Sequence, residues 1–177
     1  GARPDFMAEA AAIVEASGAD VVDINFGCSV RKILKSGSGA ALMKTPDLAE
    51  DILKAVRGAI RIPLTIKIRS GWDFSGNQAI HISRIAENCG VDAVAVHPRS
   101  AGQLFGGRAD WSIIAAVKAN VSIPVIASSG AGKVEHFSEV FEKTDVEAAL
   151  AAGIFHRKEV SIAAVKEHMR ERGIETR

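Results

Sequence analysis

Short apolar segments rich in β-branched residues alternate along this chain with longer stretches of helical periodicity. Each short segment is typical of a buried strand, and they are VVDIN at 21–25, PLTIKI at 63–68, AVAVH at 93–97, IPVIA at 123–127 and AALAAGIF at 148–155. The intervening periodicity predicts helices at 7–16, 48–60, 79–88, 112–119, 134–143 and 162–172. Gly18 and Gly90 are expected to end their helices, and Asp110 to cap the helix at 112–119. Because parallel neighbours need a crossover connection, this alternation predicts βαβ units and a parallel sheet.

Polar residues follow nearly every predicted strand at its carboxyl end. They are Asn25 and Cys28, Lys67 and Arg69, His97 and Arg99, and the segment 128–132. In (β/α) barrels this face carries the active site, which favours a barrel. An open doubly wound sheet remains an alternative, although no Gly-x-Gly-x-x-Gly follows the first strand.

Eight strands close such a barrel, whereas this sequence predicts about five. We therefore expect residues 1–177 to form one α/β domain, a partial TIM (β/α)8 barrel. An unclosed sheet exposes two edges, so the chain is expected to be a fragment or to close by association. The partner would be a second copy or a complementing barrel fragment.

The balance of charge and the cysteine content narrow the class of protein. The 177 residues include 22 basic and 21 acidic side chains, so any contact with RNA requires a local patch. The two cysteines lack a metal-type spacing and no secretory signal precedes them, which predicts no metal site and a reducing interior, cytoplasmic or organellar, of which we favour the cytoplasm. No apolar run reaches the length that spans a bilayer, so no membrane partner is expected.

The loop from 23 to 43 contains a cysteine that could take part in chemistry. Cys28 is followed by the cations Arg31, Lys32 and Lys35, and a cysteine near cations at a strand mouth can be a nucleophile or a proton donor. The alternative is an inert loop cysteine. Cys89, at a predicted helix end, is expected to be a packing residue.

Two cations lie on one side of the second predicted strand. Lys67 and Arg69 are separated by two residues, and charges inside a barrel mouth need an anionic partner. A cofactor phosphate or the electron-rich pyrimidine ring of a flavin would suit them, whereas the alternative is an ion pair with Asp23 or Asp73. His97 and Arg99 repeat the pattern on the next strand.

A phosphate site is predicted after the last two strands. Ser128, Ser129 and Gly130 follow one strand and precede a helix, where small residues leave backbone N–H groups free to bind phosphate. The next strand is expected to end at Ala152 and Gly153. Barrels often bind phosphate between these two loops.

From about residue 3 to residue 121 the sequence resembles the tRNA-dihydrouridine synthases, flavoenzymes that reduce uracil in tRNA. The matching pieces are DINFGC, GSGAALM, IKIRSGW and VHPRSAGQLFGGRADW, in the order of that family. The resemblance implies that Cys28 donates a proton to C5 of uracil while reduced FMN delivers hydride to C6, with electrons from NADPH. It further implies that Asn25 and Arg99 contact the substrate, and that Lys67 and His97 hold the flavin.

From about residue 123 to residue 177 the sequence resembles the cyclase part of imidazole glycerol phosphate synthase. The matching pieces are IPVIASSGAGKVEHFSEVF, AALAAGIFHRKEV and VKEHMRERGIETR. In that cyclase the two loops bind a substrate phosphate, and the equivalent loops of the synthases bind the phosphate of FMN. We therefore expect a chimera, synthase-like over 1–122 and cyclase-like over 123–177.

The sequence thus predicts an FMN-dependent tRNA-dihydrouridine synthase-like oxidoreductase. One alternative is a cyclase fragment, a lyase of histidine biosynthesis, but the catalytic aspartates of that family are missing. Another alternative is a non-catalytic phosphate-binding barrel module.

Overall fold

The structure, a computed structural model, describes all residues from 1 to 177. Its strands are β1 (Val22–Asn25), β2 (Leu64–Arg69), β3 (Ala93–His97), β4 (Val125–Ser128) and β5 (Ala148–Leu150). Its helices are α1 (Pro4–Ala16), α2 (Arg31–Lys35), α3 (Pro46–Ala59), α4 (Asn77–Asn88), α5 (Trp111–Lys118), α6 (Glu135–Thr144), α7 (Gly153–His156) and α8 (Ile162–Glu171). A 3-10 helix over Gly39–Lys44 joins α2 to α3.

The five strands form one parallel sheet in the order β1-β2-β3-β4-β5. Ile24 pairs with Ile66, Ile66 with Val94, and Val94 with Val125, so one row of branched side chains crosses four strands. All four of these side chains are buried. The parallel sheet predicted from the alternation of strands and helices is confirmed. β1 and β5 each pair with a strand on one side only.

The sheet and its helices share one main core of 27 buried residues. β2, β3 and β4 are the inner strands; α4 and α5 pack against them, and α3 adds its buried face to the same core and packs on α1. Cys89 is part of this core, as predicted, and burial raises the pKa of its thiol. Truncating a fully buried isoleucine such as Ile66 to alanine is expected to cost about 2–5 kcal/mol of stability.

The helix ends follow the local chemistry expected from the sequence. The Asp110 carboxylate accepts a hydrogen bond from the Ser112 backbone N–H at 3.0 Å and so caps α5. Gly18 and Gly90 adopt φ values of +87° and +78°, which allow the chain to turn sharply after α1 and α4.

No helix combines the length and the apolar character needed to cross a membrane.

The prediction for the fifth strand was wrong at its carboxyl end. The strand ends at Leu150, and Gly153 begins the one-turn helix α7. The apolar run AALAAGIF is continuous in hydrophobicity, so periodicity alone cannot separate a short strand from the helical turn that follows it. α2 and the 3-10 helix were also not predicted, because each is too short to show a period.

Candidate active site

A cavity of about 630 Å³ opens at the carboxyl ends of the strands. Eight of the residues predicted for a functional site line it: Lys67, His97, Arg99, Ser128, Ser129, Gly130, Ala152 and Gly153. The remaining lining residues are Phe105, Ala131, Leu150, Ala151, Ile154 and Arg157. Ligand pockets commonly have volumes of about 300–1,000 Å³, so the cavity is large enough for a small cofactor.

The charges around this cavity are all positive. Its lining includes Lys67, Arg99 and Arg157 and no carboxylate. Arg157 forms an ion pair with Glu159, which lies outside the lining, whereas no carboxylate lies within 4.0 Å of the Lys67 ammonium. Burial and the neighbouring Arg69 guanidinium lower the pKa of Lys67. The more distant Asp23 carboxylate offsets this only in part, and a partly buried ammonium without a close ion-pair partner is strongly stabilised by an anionic ligand.

His97 supplies a neutral ring to the cavity wall. Its side chain is 4% exposed, and burial together with the charges of Arg69, Lys67 and Arg99 lowers its pKa to about 3. The Arg99 Nη1 lies 3.4 Å from Nε2 of the ring. Because Arg99 can only donate, this contact favours the tautomer in which Nε2 accepts and Nδ1 carries the proton.

Arg99 ties together two of the loops that surround the cavity. Its Nη1 donates to the Ser129 hydroxyl at 3.0 Å, and its Nε and Nη2 donate to the Gly107 carbonyl at 3.3 and 3.1 Å. The guanidinium therefore holds the segment after β3 against the turn after β4. This arrangement fixes a positive charge beside the turn that was predicted to bind phosphate.

The turn after β4 lines the cavity and contains backbone N–H groups without a hydrogen-bond partner. Ser129 and Gly130 have φ values of +76° and +90°, and a Cβ on Gly130 would lie 2.9 Å from the Ala109 Cβ. The N–H groups of Gly130 and Ala131 donate to no acceptor in the protein. Successive free N–H groups in such a turn form an anion-binding concavity. We expected the cradle at a helix start, but α6 begins only at Glu135, so the turn itself provides the donors.

Arg69 is not available to a ligand, which corrects the prediction that both cations of β2 serve one. Its side chain is 3% exposed and donates three hydrogen bonds of 2.7–3.1 Å to backbone carbonyls. Those carbonyls belong to Gly27, Ser100 and Leu104. The predicted alternative of an ion pair with Asp23 or Asp73 is also wrong for Arg69, since those carboxylates bind Thr65 and Ser75.

Asn25 and Cys28 do not line the cavity, although both lie at the same edge of the sheet. Asn25 pairs with Lys67 in the strand register and is exposed, and its Oδ1 accepts from the Gly27 N–H at 2.9 Å. Cys28 is half-buried in the loop after β1. Arg69 links this loop to the loop after β3, because the same guanidinium donates to the Gly27 carbonyl and to the carbonyls of Ser100 and Leu104.

Two of the six lining residues that were not predicted carry an aromatic or a charged side chain. Phe105 is 78% exposed at the mouth of the cavity, and its ring centroid lies 6.1 Å from that of His97. Arg157 adds the third cation. An aromatic residue within the glycine-rich segment 102–107 and a basic pair after α7 were signals that could have identified them.

The chain matches the sequence model of a known family. The model described as dihydrouridine synthase (Dus) matches residues 1–167. The tRNA-dihydrouridine synthase B of Vibrio vulnificus is 43% identical over 150 residues, which cover 85% of this chain and 47% of that protein. The protein of the same name from Yersinia pestis is 48% identical over 128 residues, covering 72% and 40%. A probable tRNA-dihydrouridine synthase of Rickettsia conorii is 42% identical over 142 residues, covering 80% and 42%.

The chain therefore spans less than half the length of these curated relatives. The resemblance to the tRNA-dihydrouridine synthases that the motifs predicted is confirmed. The family match runs to residue 167, beyond residue 122, where we expected the resemblance to change. The division into two parental segments stays a prediction.

Solved structures support the fold class alone. A dihydrodipicolinate synthase from Agrobacterium tumefaciens superposes with a TM-score of 0.64 at 17% identity, covering 91% of this chain and 52% of that one. A D-glucarate dehydratase from the same organism gives 0.67 at 17% identity, covering 97% and 41%. These neighbours are TIM-barrel enzymes, which confirms the fold class of a partial TIM barrel.

Proposed function

We propose, since this chain belongs to the dihydrouridine synthase family, that it forms the flavin-binding part of an enzyme that reduces uracil in tRNA. The proposed cofactor is FMN and the proposed electron donor is NADPH. The match to relatives named for tRNA-dihydrouridine synthesis supports the reaction, and the cavity supports the cofactor.

The observation that carries this proposal is a cavity with three cations and no carboxylate. FMN carries a phosphate at one end and, when reduced, an electron-rich pyrimidine ring at the other. An isolated ammonium and a separate guanidinium pair with a donor turn therefore suit the two ends of one molecule.

The residues present fit FMN in the following way. The free N–H groups of Gly130 and Ala131, with Arg99 beside them, would hold the phosphate, together with the Ser128–Gly130 turn and the Ala152–Gly153 segment. Lys67 would lie against the pyrimidine side of the flavin, where its charge stabilises the anionic reduced ring. The bound cofactor would supply the hydride that adds to C6 of uracil. The neutral His97 can offer its Nδ1–H as a donor without adding charge.

Cys28 is the proposed acid. Addition of hydride leaves negative charge at C5 and O4 of uracil, so a thiol placed near C5 lowers the barrier by donating its proton there. Asn25 is proposed to position uracil through its side-chain NH₂, because its Oδ1 is already bonded to the Gly27 N–H. The substrate contact of Arg99 stays a prediction, because its guanidinium lies beside the turn that is proposed to hold the phosphate, at the end of FMN away from the ring.

The replacement Lys67→Met tests the flavin site. Removing the ammonium should weaken FMN binding by about tenfold or more, measured by quenching of flavin fluorescence. Lys54→Met is the matched control, because Lys54 is exposed on α3 and pairs with Glu50. Equal affinity of the Lys67→Met and Lys54→Met variants would remove Lys67 from the site. Conversion of uridine to dihydrouridine in tRNA, followed by mass spectrometry of nucleosides, tests the reaction itself.

The proposed partner is tRNA, and the proposed location is the cytoplasm, where such a substrate is found. The unpaired outer edges of β1 and β5 support a further proposal, that a second copy or a complementing barrel fragment pairs with them. A monomeric mass in size exclusion with light scattering, together with no gain on mixing with a complementing fragment, would contradict this. The family match to residue 167 gives no added weight to the cyclase or the non-catalytic alternative.

A further inference from the structure

The loop that carries Cys28 is held by a contact from the neighbouring strand's loop. The Ala40 backbone N–H donates to the Cys28 carbonyl at 2.9 Å. The Ala40 carbonyl accepts from the Trp72 indole Nε1 at 2.8 Å. Ala40 is fully buried, so its carbonyl has no access to water as an alternative donor. A continuous path of hydrogen bonds therefore joins Trp72 to the backbone of Cys28.

Trp72 is itself firmly placed. Its backbone N–H donates to the Gln78 Oε1 at 2.6 Å, which fastens it to α4. The Lys44 ammonium lies 3.7 Å from the centre of the indole ring, a cation–π contact that covers its outer face. The ring also packs against the main core. The orientation of the indole N–H is thus fixed by α4 and the main core on one side and by Lys44, at the far end of the 3-10 helix, on the other.

Gly39, which precedes Ala40, also packs tightly against Cys28. Gly39 has a φ of +61°, and a Cβ on it would lie 2.5 Å from the Cys28 carbonyl oxygen and 3.0 Å from the Cys28 Cβ. The 3-10 helix that begins at Gly39 is therefore pressed directly against Cys28. A displacement of this helix must be passed on to the cysteine.

We propose that Trp72 is a positioning residue for Cys28, acting through Ala40. This inference rests on the proposed role of Cys28 as the acid. Proton transfer requires the thiol to be held close to C5. Loss of the indole donor leaves the buried Ala40 carbonyl without a hydrogen bond, which favours a displacement of the 3-10 helix that brings this carbonyl to water. Trp72 does not line the cavity and forms no hydrogen bond with a cavity residue or with Asn25, so we expect flavin and substrate binding to be left intact.

The replacement Trp72→Phe tests the proposal, since it keeps an aromatic ring and removes the N–H. The matched control is Trp111→Phe, because Trp111 is the only other tryptophan and its indole N–H has no hydrogen-bond partner in the protein. Both variants are made with Cys89→Ala, so that alkylation by iodoacetamide reports on Cys28 alone. Circular dichroism confirms folding, and Gln78→Met, which frees the Trp72 backbone, is the substitute if Trp72→Phe does not fold.

We expect Trp72→Phe to speed alkylation of Cys28 by about threefold or more, because the loop opens more often. We also expect kcat for uracil reduction to fall about tenfold, the equivalent of one lost hydrogen bond, while KM for tRNA and FMN affinity stay within twofold. Alkylation and kcat equal to those of Trp111→Phe would overturn the proposal. A rise in KM with unchanged kcat would also overturn it, because Trp72 would then act on binding.

The proposed role of Cys28 and the proposed role of Trp72 are tested by different measurements. If Cys28→Ala still reduces uracil, the proposed acid is wrong. The alkylation rates would nevertheless decide whether Trp72 fixes the loop, since they require neither tRNA nor flavin.

Discussion

Lowering the pH from 7 to 5 is expected to destabilise the folded chain through His97, and a single replacement can isolate this contribution. The imidazole is 4% exposed and lies among Lys67, Arg69 and Arg99, which together with burial lower its pKa to about 3. In the unfolded chain the pKa returns to the ordinary value of about 6.5. Between these two values the unfolded chain binds a proton that the folded chain does not.

The sign and the size follow from this difference in bound protons. Stability rises with pH wherever the unfolded state binds more protons, so the contribution is complete above about pH 6.5 and is lost progressively as the pH falls towards 3. Between pH 7 and pH 5 the loss amounts to about 2 kcal/mol for His97 alone. This is a substantial part of the stability of a typical domain.

The assay is urea unfolding at pH 7 and pH 5, followed by circular dichroism. In His97→Gln the loss of stability between the two pH values should be smaller than in the unmodified chain by about 2 kcal/mol. His81→Gln is the matched control for the replacement of a histidine, because His81 is exposed on α4 and lies outside the cavity. An equal loss in His97→Gln and in the unmodified chain would refute the inference that His97 is buried in its neutral form.

Two further replacements test the local geometry. Gly39→Ala should lower the free energy of unfolding by about 2 kcal/mol or more, because a Cβ there meets the Cys28 carbonyl at 2.5 Å and φ is positive. Gly58→Ala, inside α3 with open space around it, should instead stabilise by about 0.5–1 kcal/mol, and a similar effect at both positions in urea titrations would contradict the strain at Gly39. Asp110→Ala should cost about 1 kcal/mol through loss of the α5 cap, whereas Asp110→Asn should retain most of it; equal unfolding midpoints for Asp110→Ala and the unmodified chain would contradict this role.

The fold was predictable because its inner strands β2, β3 and β4 are largely buried and are therefore written as short runs of branched apolar residues. β3 was predicted at 93–97 and is observed at Ala93–His97, since branched apolar residues and flanking polar residues mark both ends. The predicted β5 was too long because the run of apolar residues continues into α7. α2 and the 3-10 helix have no periodic signal, and their positions depend on tertiary contacts such as that between Ala40 and Trp72.

The site was predictable only where the strand direction determines the position of a side chain. Lys67 and His97 come together because parallel strands bring their carboxyl ends to one edge, and this follows from the sequence. Arg69 has the same placement in sequence but is taken up by three backbone carbonyls, which no pattern reveals. The position of the Cys28 loop likewise depends on contacts between loops that are distant in sequence. The catalytic and binding roles themselves stay predictions.

The strictly sequential order of the sheet has a consequence for how such a chain can be altered. Every strand is hydrogen-bonded only to the strands that precede and follow it in the sequence. A division of the chain between two strand–helix units therefore separates one pair of strands and leaves the other strand pairs intact. Segments from different ancestors can then be exchanged at these borders, provided that the two strands meeting there keep their register. In the segment between α5 and β4, such an exchange would leave the pairing of β1, β2 and β3 untouched and would transfer the turn after β4 as a unit.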